Sequence, residues 1–449
     1  MGKSIKIKKG LDIRLVGEAE KVTVSPDSVD SVVIRPTDFH ALVPKCLVNP
    51  GDVVKAGTPL FFSKKHPEIQ FCSPVSGEVT EVVRGAKRKL MAIRILADKE
   101  TRYQQVNLPS AEGASREEIV AALCANGLWP YIRQRPFDVI ANPNVTPKAI
   151  YISAFDSSPL APDMDFALQG YGTEFQKGLD ILARIAPVNL TVHTSRTKSE
   201  IFLKAKNVDI HTISGPHPSG NAGVQIHHIS PINKGEVVWT VNPQDVVIIG
   251  RLFTENRYNA LRVVAVTGSE VTRRRYAKVI TGVPLRALLN DNLNHETNIR
   301  VISGNVLTGT QEPLDGNLGF YDSQVTVIPE GYEPELFGWA LPGFGKFSLN
   351  RSFFSWLAPG KKYTLDTNQH GEERAFVVSG EYEKVFPMNI YPVYLLKSIL
   401  ANDIERMEQL GIYEVAPEDF ALCEFVCTSK IETQSIVRRG LDYVMSETE

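Results

Sequence analysis

Gly51-Asp52-Val53-Val54-Lys55-Ala56-Gly57-Thr58-Pro59-Leu60 and, a little further on, Ser73-Pro74-Val75-Ser76-Gly77-Glu78-Val79 decide how the first hundred residues are read. Each is a short run of strand-forming residues entered through a glycine turn, and the second turn carries a Ser-Pro step. Between them the chain reaches a tip, Ser63-Lys64-Lys65-His66-Pro67-Glu68. Val32-Val33-Ile34 on one side and Met91-Ala92-Ile93-Arg94-Ile95 on the other read as flanking strands. Nearer the N-terminus Ile5, Ile7, Leu11, Ile13 and Leu15 alternate as strand residues do. The basic start, Met1 to Lys9, has no apolar segment behind it and does not read as a secretion signal. Lys6 stands where a myristoylation signal wants Ser or Thr.

Two hairpins entered in this way resemble the barrel-sandwich hybrid of lipoyl and biotinyl carrier domains. A carrier presents a modifiable lysine at the tip, usually within Asp-Lys-Ala or Met-Lys-Met. Here Lys64 and Lys65 stand between Ser63 and His66, so the scaffold is present and the attachment motif is not. An unmodified chain is expected, the carrier fold serving as a structural part of something larger.

A chain of 449 residues is too long for one core, and several domains are expected. Lysine plus arginine, 49, nearly cancels aspartate plus glutamate, 51, which argues against a nucleic-acid binder with a broad positive surface. The run Arg273-Arg274-Arg275 reads as a solvated face or a partner contact. Five scattered cysteines make no disulfide framework and suit a reducing, cytoplasmic compartment. No apolar run approaches the ~18 residues of a spanning helix, so any attachment to a membrane is expected to be through a partner.

The chain divides into four parts. Residues 1–102 are the expected barrel-sandwich hybrid. A polar linker follows at Pro109 to Gly113, and Ser115-Arg116-Glu117-Glu118 is a capping box opening a helix. In 103–257, strands at Ala149–Ser153, Asn189–His193 and Val208–His211 alternate with helices at Thr173–Ile185 and Ser199–Ala205 and from Pro243. Repeated strand–helix units imply a mostly parallel, doubly wound, Rossmann-like sheet. In 258–330, Ile280–Leu285, a short helix at Arg286–Leu289, Ile299–Gly304 and Gln324–Val327 resemble a β-grasp module of the SLBB type. Residues 331–449 begin with an aromatic- and glycine-rich linker and end in helices, one opened by Pro392 and closed near Gly411, another opened by Pro417.

This order of parts, within an overall α/β multidomain architecture, resembles the A subunits of the sodium-translocating NADH:quinone oxidoreductases. The likeness is carried by Ile5-Lys6-Ile7-Lys8-Lys9-Gly10-Leu11-Asp12, Ser214-Gly215-Pro216-His217-Pro218-Ser219-Gly220, Ile249-Gly250-Arg251-Leu252-Phe253, Glu335-Leu336-Phe337-Gly338-Trp339-Ala340, Gly380 to Val385 and Leu422 to Cys427. The resemblance implies a peripheral subunit on the cytoplasmic face of the bacterial inner membrane. It also implies subunits B to F as partners, a membrane-spanning one chief among them, in a complex that uses FMN, FAD, riboflavin and iron–sulfur centres held by the other subunits. The architecture is more distantly similar to the C subunits of ferredoxin-linked pumps and to the flavin-bearing subunit of respiratory NADH dehydrogenase.

The departures from those relatives bear on chemistry. The flavin subunits open this domain with Gly-Arg-Gly-Gly-Ala-Gly-Phe-Pro, whose glycines let backbone amides reach a phosphate. The matching stretch here is Asn126-Gly127-Leu128-Trp129-Pro130-Tyr131-Ile132-Arg133, with one glycine, so neither FMN nor NADH is expected in the usual way. Cys423 and Cys427 are too few for a cluster that needs four thiolates; core filling is expected of them, with a cluster or zinc completed by another subunit as the alternative. His211, His217, His227 and His228 lie close in sequence but irregularly, and no metal is expected. No catalytic acid, base or nucleophile is nominated.

The loop holding Gly215, His217, Ser219, Gly220 and Gly223 follows a strand of the parallel sheet, where such folds place ligands. Either it is a structured turn, or it meets a quinone headgroup or a partner, with His217 donating. Phe337, Trp339, Phe344, Phe347, Phe353, Phe354 and Trp356 are expected to form mostly a satellite core, a docking patch for a membrane subunit being the alternative. Three classes thus compete: a cofactor-free subunit of a redox pump, an autonomous flavin-dependent NADH dehydrogenase, and an acyl or biotin carrier-like scaffold.

Overall fold

The computed structural model describes every residue except 1, 27–28, 110–112, 296, 333–336, 339–340 and 449. The middle of the expected linker at 109–113 therefore lies outside the described residues. Beyond it, Ser115 caps the Arg116–Ala125 helix and Glu118 reaches back to the Ser115 amide, forming the capping box.

A seven-stranded sheet organises the molecule. Its order is Ser4–Lys6, Asp209–Ser214, Val188–His193, Ile150–Ser153, Val238–Thr240, Arg133–Arg135 and Val139–Ile140. The first five strands are parallel, and the last two add an antiparallel edge. Tyr151 and Val238 meet Ile226 and Ile229 of the Ala222–Ile229 helix on one face. Ile150 and Ile152 belong to the core that holds Leu179, Leu182, Val246 and Ile249 of the Gly172–Ala183 and Pro243–Glu255 helices. Covered on both faces, the central strands are mostly buried, as parallel sheets require.

Those two helices pack backbone to backbone. A β-carbon on Gly178 would lie 2.1 Å from the Val246 carbonyl oxygen, and one on Gly250 would lie 1.8 Å from the Glu174 carbonyl oxygen. Backbone cannot yield as a side-chain tip can. Gly250→Ala should therefore lower the unfolding free energy by about 1–3 kcal/mol, as overpacked cores do, despite the ~1 kcal/mol that alanine contributes over glycine within a helix. A urea midpoint that does not move would show that the helices are free to part.

The carrier-like hairpins form two facing sheets. One has the order Ser31–Ile34, Leu90–Ala97, Gly77–Arg84, Val53–Val54, and the other Pro44–Cys46, Pro59–Ser63, Gln70–Cys72. Phe61 stacks on Phe71 at 4.5 Å between ring centres, and Phe39 meets Phe71 edge-on at 4.7 Å. The fourth sheet has six strands in the order Thr310–Glu312, Ile299–Ser303, Gln324–Pro329, Leu261–Thr267, Arg275–Ile280 and Glu20–Val24, with the short Arg286–Leu289 helix beside it. Arg273 and Arg274 donate to the carbonyls of Asp291 and of Gly268 and Ser269.

Three details depart from expectation. The N-terminal strands do not serve the hairpin domain that follows them: Ser4–Lys6 extends the doubly wound sheet and Glu20–Val24 extends the β-grasp sheet. Each satisfies an edge whose amides and carbonyls would otherwise lack partners. The helix opened by Pro392 does not run to Gly411. It stops at Leu400, Asn402 turns left-handed at φ 54°, and Asp403 caps a second helix, Ile404–Gln409. Trp339 lies outside the described residues, and most of the other aromatic residues of the 337–356 stretch are not core: Phe337, Phe344, Phe354 and Trp356 are exposed, and Phe347 is the one packed against the C-terminal helices. Pro342, Gly343 and Gly345 interrupt the segment, so no regular helix turns its rings toward one core.

Candidate functional site

Chain order in the parallel sheet runs outward from Ile150–Ser153 through Val188–His193 to Asp209–Ser214, then returns to the other side at Val238–Thr240. The topological switch point lies between Ile150–Ser153 and Val238–Thr240, where folds of this kind leave a crevice at the carboxyl ends of the strands. A cavity of about 210 Å³ occupies it. Ser153, Phe155 and Asp156 follow one strand into its wall, and Thr240, Val241 and Asn242 follow the other. Arg133, Arg135, Asp138, Tyr321 and Glu418 complete the polar side, and His217 and Gly220 come from the loop singled out in the sequence.

His217 is buried and held at several points. Its amide donates to Asp12 Oδ1 at 2.9 Å, and its carbonyl accepts from the Leu11 amide at 2.8 Å. The Gly220 amide donates to Ser157 Oγ at 2.8 Å, and Ser157 Oγ lies 3.0 Å from His217 Nδ1. Ser157 Oγ can donate to Nδ1 or accept a second bond from it, and the arrangement in which it donates leaves Nε2 as the proton-bearing nitrogen of the neutral ring. Burial pushes the imidazole pKa down to about 4, against the partial counter-effect of Asp156 and Asp12. A nuclear magnetic resonance titration should find this ring titrating near pH 4 rather than 6.5. Because the folded value is depressed, His217 contributes stability that is fully present above 6.5 and is lost as pH falls through about 4.

The other members of the loop serve the backbone. Ser219 Oγ donates to the Gly215 carbonyl at 3.2 Å, and the Ser219 carbonyl accepts from Gln225 Nε2 at 3.1 Å. A β-carbon on Gly215 would meet the Ile7 carbonyl oxygen at 2.5 Å. One on Gly223 would sit 2.5 Å from Asp419 Oδ2 and would also strike Arg135.

Sequence reasoning missed the charged wall. Arg135 and Asp419 are almost wholly buried and pair at 2.7 Å, with Glu418 on the other guanidinium nitrogen. Arg133 pairs with Asp138 at 2.5 Å and lies over the Tyr321 ring at 5.0 Å. Beneath them Arg262 meets Asp245 at 2.7 Å. Arg133-Gln134-Arg135 set among apolar residues, and the acid pair after Pro417, are the signals in the sequence that could have found it. A second cavity, about 450 Å³, opens on the far side of the 154–165 loop, where Asp12, Arg14, Arg196 and Lys362 meet that loop.

The remaining candidates are dispersed or filled. Trp129 occupies the place of the flavin-type loop, fully buried, its Nε1 donating to the Ala141 carbonyl at 2.7 Å and its ring edge-on to Trp239 at 5.2 Å. Gly127 packs on Cys72. Cys423 is buried in the Ala421–Val426 helix, while Cys427 lies just past its end, its sulfur accepting from the Tyr382 hydroxyl at 2.9 Å. His211 bonds Asn189 and the Lys3 amide, His227 bonds Glu414, and His228 bonds the Val224 carbonyl. Among the described residues no three His, Cys, Asp or Glu side chains gather in a way that could hold a metal ion. Lys64 and Lys65 are exposed at the hairpin tip.

A carrier-type hairpin domain, a doubly wound sheet and a β-grasp module on one chain make a multidomain α/β protein. Residues 5–98 match the family described as the NqrA N-terminal barrel-sandwich hybrid domain, 114–258 the NqrA second alpha/beta domain, and 263–312 the NQRA C-terminal domain. The chain is 37% identical over 446 residues to the A subunit of the Na(+)-translocating NADH-quinone reductase of Vibrio vulnificus, covering 99% of this chain and 100% of that one. It is 35% identical over 447 residues to the protein of that name from Neisseria meningitidis serogroup B, and 36% identical over 449 to that from Haemophilus influenzae, with the same coverage. The chain belongs to this family of Na(+)-translocating NADH-quinone reductase A subunits. A solved NAD+-reducing [NiFe]-hydrogenase is similar at a TM-score of 0.38 and 13% identity, over 76% of this chain and 62% of that one, a likeness too slight to carry argument.

Proposed function

We propose that this chain is a peripheral subunit of a respiratory complex that oxidises NADH, reduces quinone and exports Na+. In this reading it works on the cytoplasmic face of the bacterial inner membrane, with the complex's flavins and iron–sulfur centres held by the other subunits. Family membership over the whole chain supports the complex. The filled flavin-type loop supports the assignment of cofactors elsewhere. Among the described residues no helix is long and apolar enough to cross a membrane, which supports attachment through a spanning partner.

The chain's own share is assigned to the switch-point cavity, and one observation carries it. A buried His217, its Nδ1 hydrogen-bonded to Ser157, lines a crevice at the carboxyl ends of the central strands. With Ser157 donating to Nδ1, the Nε2–H donates to an acceptor without needing a change of protonation. A quinone carbonyl is such an acceptor, and the relatives' names supply the quinone. Arg133 and Asp138 border the same space and would orient the headgroup.

The test uses the assembled complex. His217→Gln should raise the apparent KM for quinone by about tenfold, the loss of one hydrogen bond of ~1.4 kcal/mol, with little change in the KM for NADH. Ser157→Ala should act in the same direction, because the ring then loses its tautomer partner. If both variants assemble and leave the quinone KM unchanged, the loop is a structured turn and nothing more.

A further inference from the structure

We propose that residues 341–361 form a surface that rests on an anionic lipid headgroup layer. The stretch folds on itself into a tip without strands. The Phe354 amide donates to the Pro342 carbonyl at 2.9 Å, Lys361 Nζ donates to the Phe344 carbonyl at 2.6 Å, and the Phe344 and Phe354 rings lie 5.9 Å apart. The Arg351 guanidinium lies 5.7 Å from the Trp356 ring centre.

One side of the tip is tied down. Phe347, Leu349 and Leu365 pack into the core of the C-terminal helices, Phe347 lying 5.5 Å from the buried Tyr363 and 5.8 Å from Phe425 between ring centres. The Tyr363 amide donates to the Arg14 carbonyl at 2.8 Å, and its carbonyl accepts from the Val16 amide at 2.9 Å. Leu341, Phe344, Phe354, Trp356 and Leu357 by contrast remain between 46% and 62% exposed among the described residues, several large apolar side chains close together in sequence where a lone exposed one would need no explanation.

Charge identifies what covers it. From Leu341 to Leu365 there are four cations, Lys346, Arg351, Lys361 and Lys362, and no acid, in a chain whose formal net charge is -2. Lys362 is paired with Glu18 at 3.0 Å, and Lys346 Nζ donates to the Gly338 carbonyl at 2.8 Å. Stacking on Trp356 leaves the charge of Arg351 intact. Rings and leucines that enter the headgroup boundary while basic groups meet lipid phosphates are the features of a shallow interfacial contact. A bilayer offers both at once and demands no matching groove. Such a contact supplements attachment through a spanning partner, and it stands independently of the cavity reading.

The test is sedimentation of the full chain with vesicles of phosphatidylethanolamine and phosphatidylglycerol, and with vesicles of phosphatidylcholine alone. Binding to the first and not the second is expected, weakening as salt rises. Arg351→Gln with Lys361→Gln should weaken it about 25-fold, roughly fivefold for each cation near an anionic surface. Phe354→Ser, Trp356→Ser and Leu357→Ser together should abolish it while the urea midpoint stays in place, because these side chains are exposed. In the assembled complex in nanodiscs, brominated phosphatidylglycerol should quench less tryptophan fluorescence once Trp356→Phe is introduced. No sedimentation with anionic vesicles would overturn the proposal, as would equal binding by the variants. Quenching indifferent to Trp356 would also overturn it and assign the tip to a protein partner.

Discussion

Asp419→Ala is expected to lower the free energy of unfolding by about 3–5 kcal/mol, the usual cost of breaking a buried ion pair by removing one partner. The side chains of Arg135 and Asp419 are 2% and 0% exposed, and 2.7 Å separates their charged atoms. Burial works against the Arg135 charge, but Asp419 first and Glu418 second more than offset it, so the guanidinium is held protonated more firmly than usual. Truncating Asp419 leaves that charge buried with Glu418 alone. The same carboxylate also accepts from the Ala416 amide at 2.9 Å, closing the turn that opens the last helices, so a backbone donor is orphaned as well. Arg135 belongs to the edge of the large sheet and Asp419 to the C-terminal helical unit. Loss should therefore appear as early release of that unit: a lower urea midpoint, with proteolysis after residue 415 preceding cleavage elsewhere. Gly223→Ala presses a methyl group into the same pair from the opposite side and should mimic the effect. A midpoint unmoved by Asp419→Ala would show that the pair is an ornament of the interface.

What the sequence disclosed and what it withheld follow from the range of the interactions. Gly57 and Gly77 turns, the Ser115–Glu118 box and the apolar face of residues 175–182 are encoded within a few residues of themselves, and each has its element in the structure. The Arg135–Asp419 pair spans 284 positions, and nothing local to Arg135 announces an acid so far along the chain. Strand 4–6 is legible as a strand, yet its partner at 209–214 is not, because alternation says which face is buried and not against what. His217 stands out through its loop. Ser157, which bonds its ring, lies 60 residues earlier in a stretch with no pattern of its own. Hydrophobicity alone reads the aromatic segment toward burial, because it leaves out the four cations interleaved with the rings.

Trp129→Ala should cost about 3–5 kcal/mol, the range for deleting a fully buried aromatic side chain, and should give no flavin site in return. The indole is wholly buried, its N–H bonded to the Ala141 carbonyl, its ring edge against Trp239. Its removal opens a void where flavin subunits keep a glycine loop, so the variant separates two accounts of that region. If a cradle survives beneath the tryptophan, FMN should fill the void and raise the midpoint by mass action as its concentration rises. The described backbone argues otherwise. Trp129–Tyr131 is a single tight turn, Pro130 brings no amide, and the Tyr131 and Ile132 amides are already bonded to the carbonyls of Leu128 and Trp129. A phosphate needs several free amides converging on it, and removing one side chain frees none of these. The expected outcome is a destabilised protein whose midpoint ignores FMN at every concentration and whose visible spectrum stays flat after gel filtration. A midpoint that climbs with FMN would mean that the cradle persists under its plug, and the flavin-dependent dehydrogenase reading would then have to be taken up again.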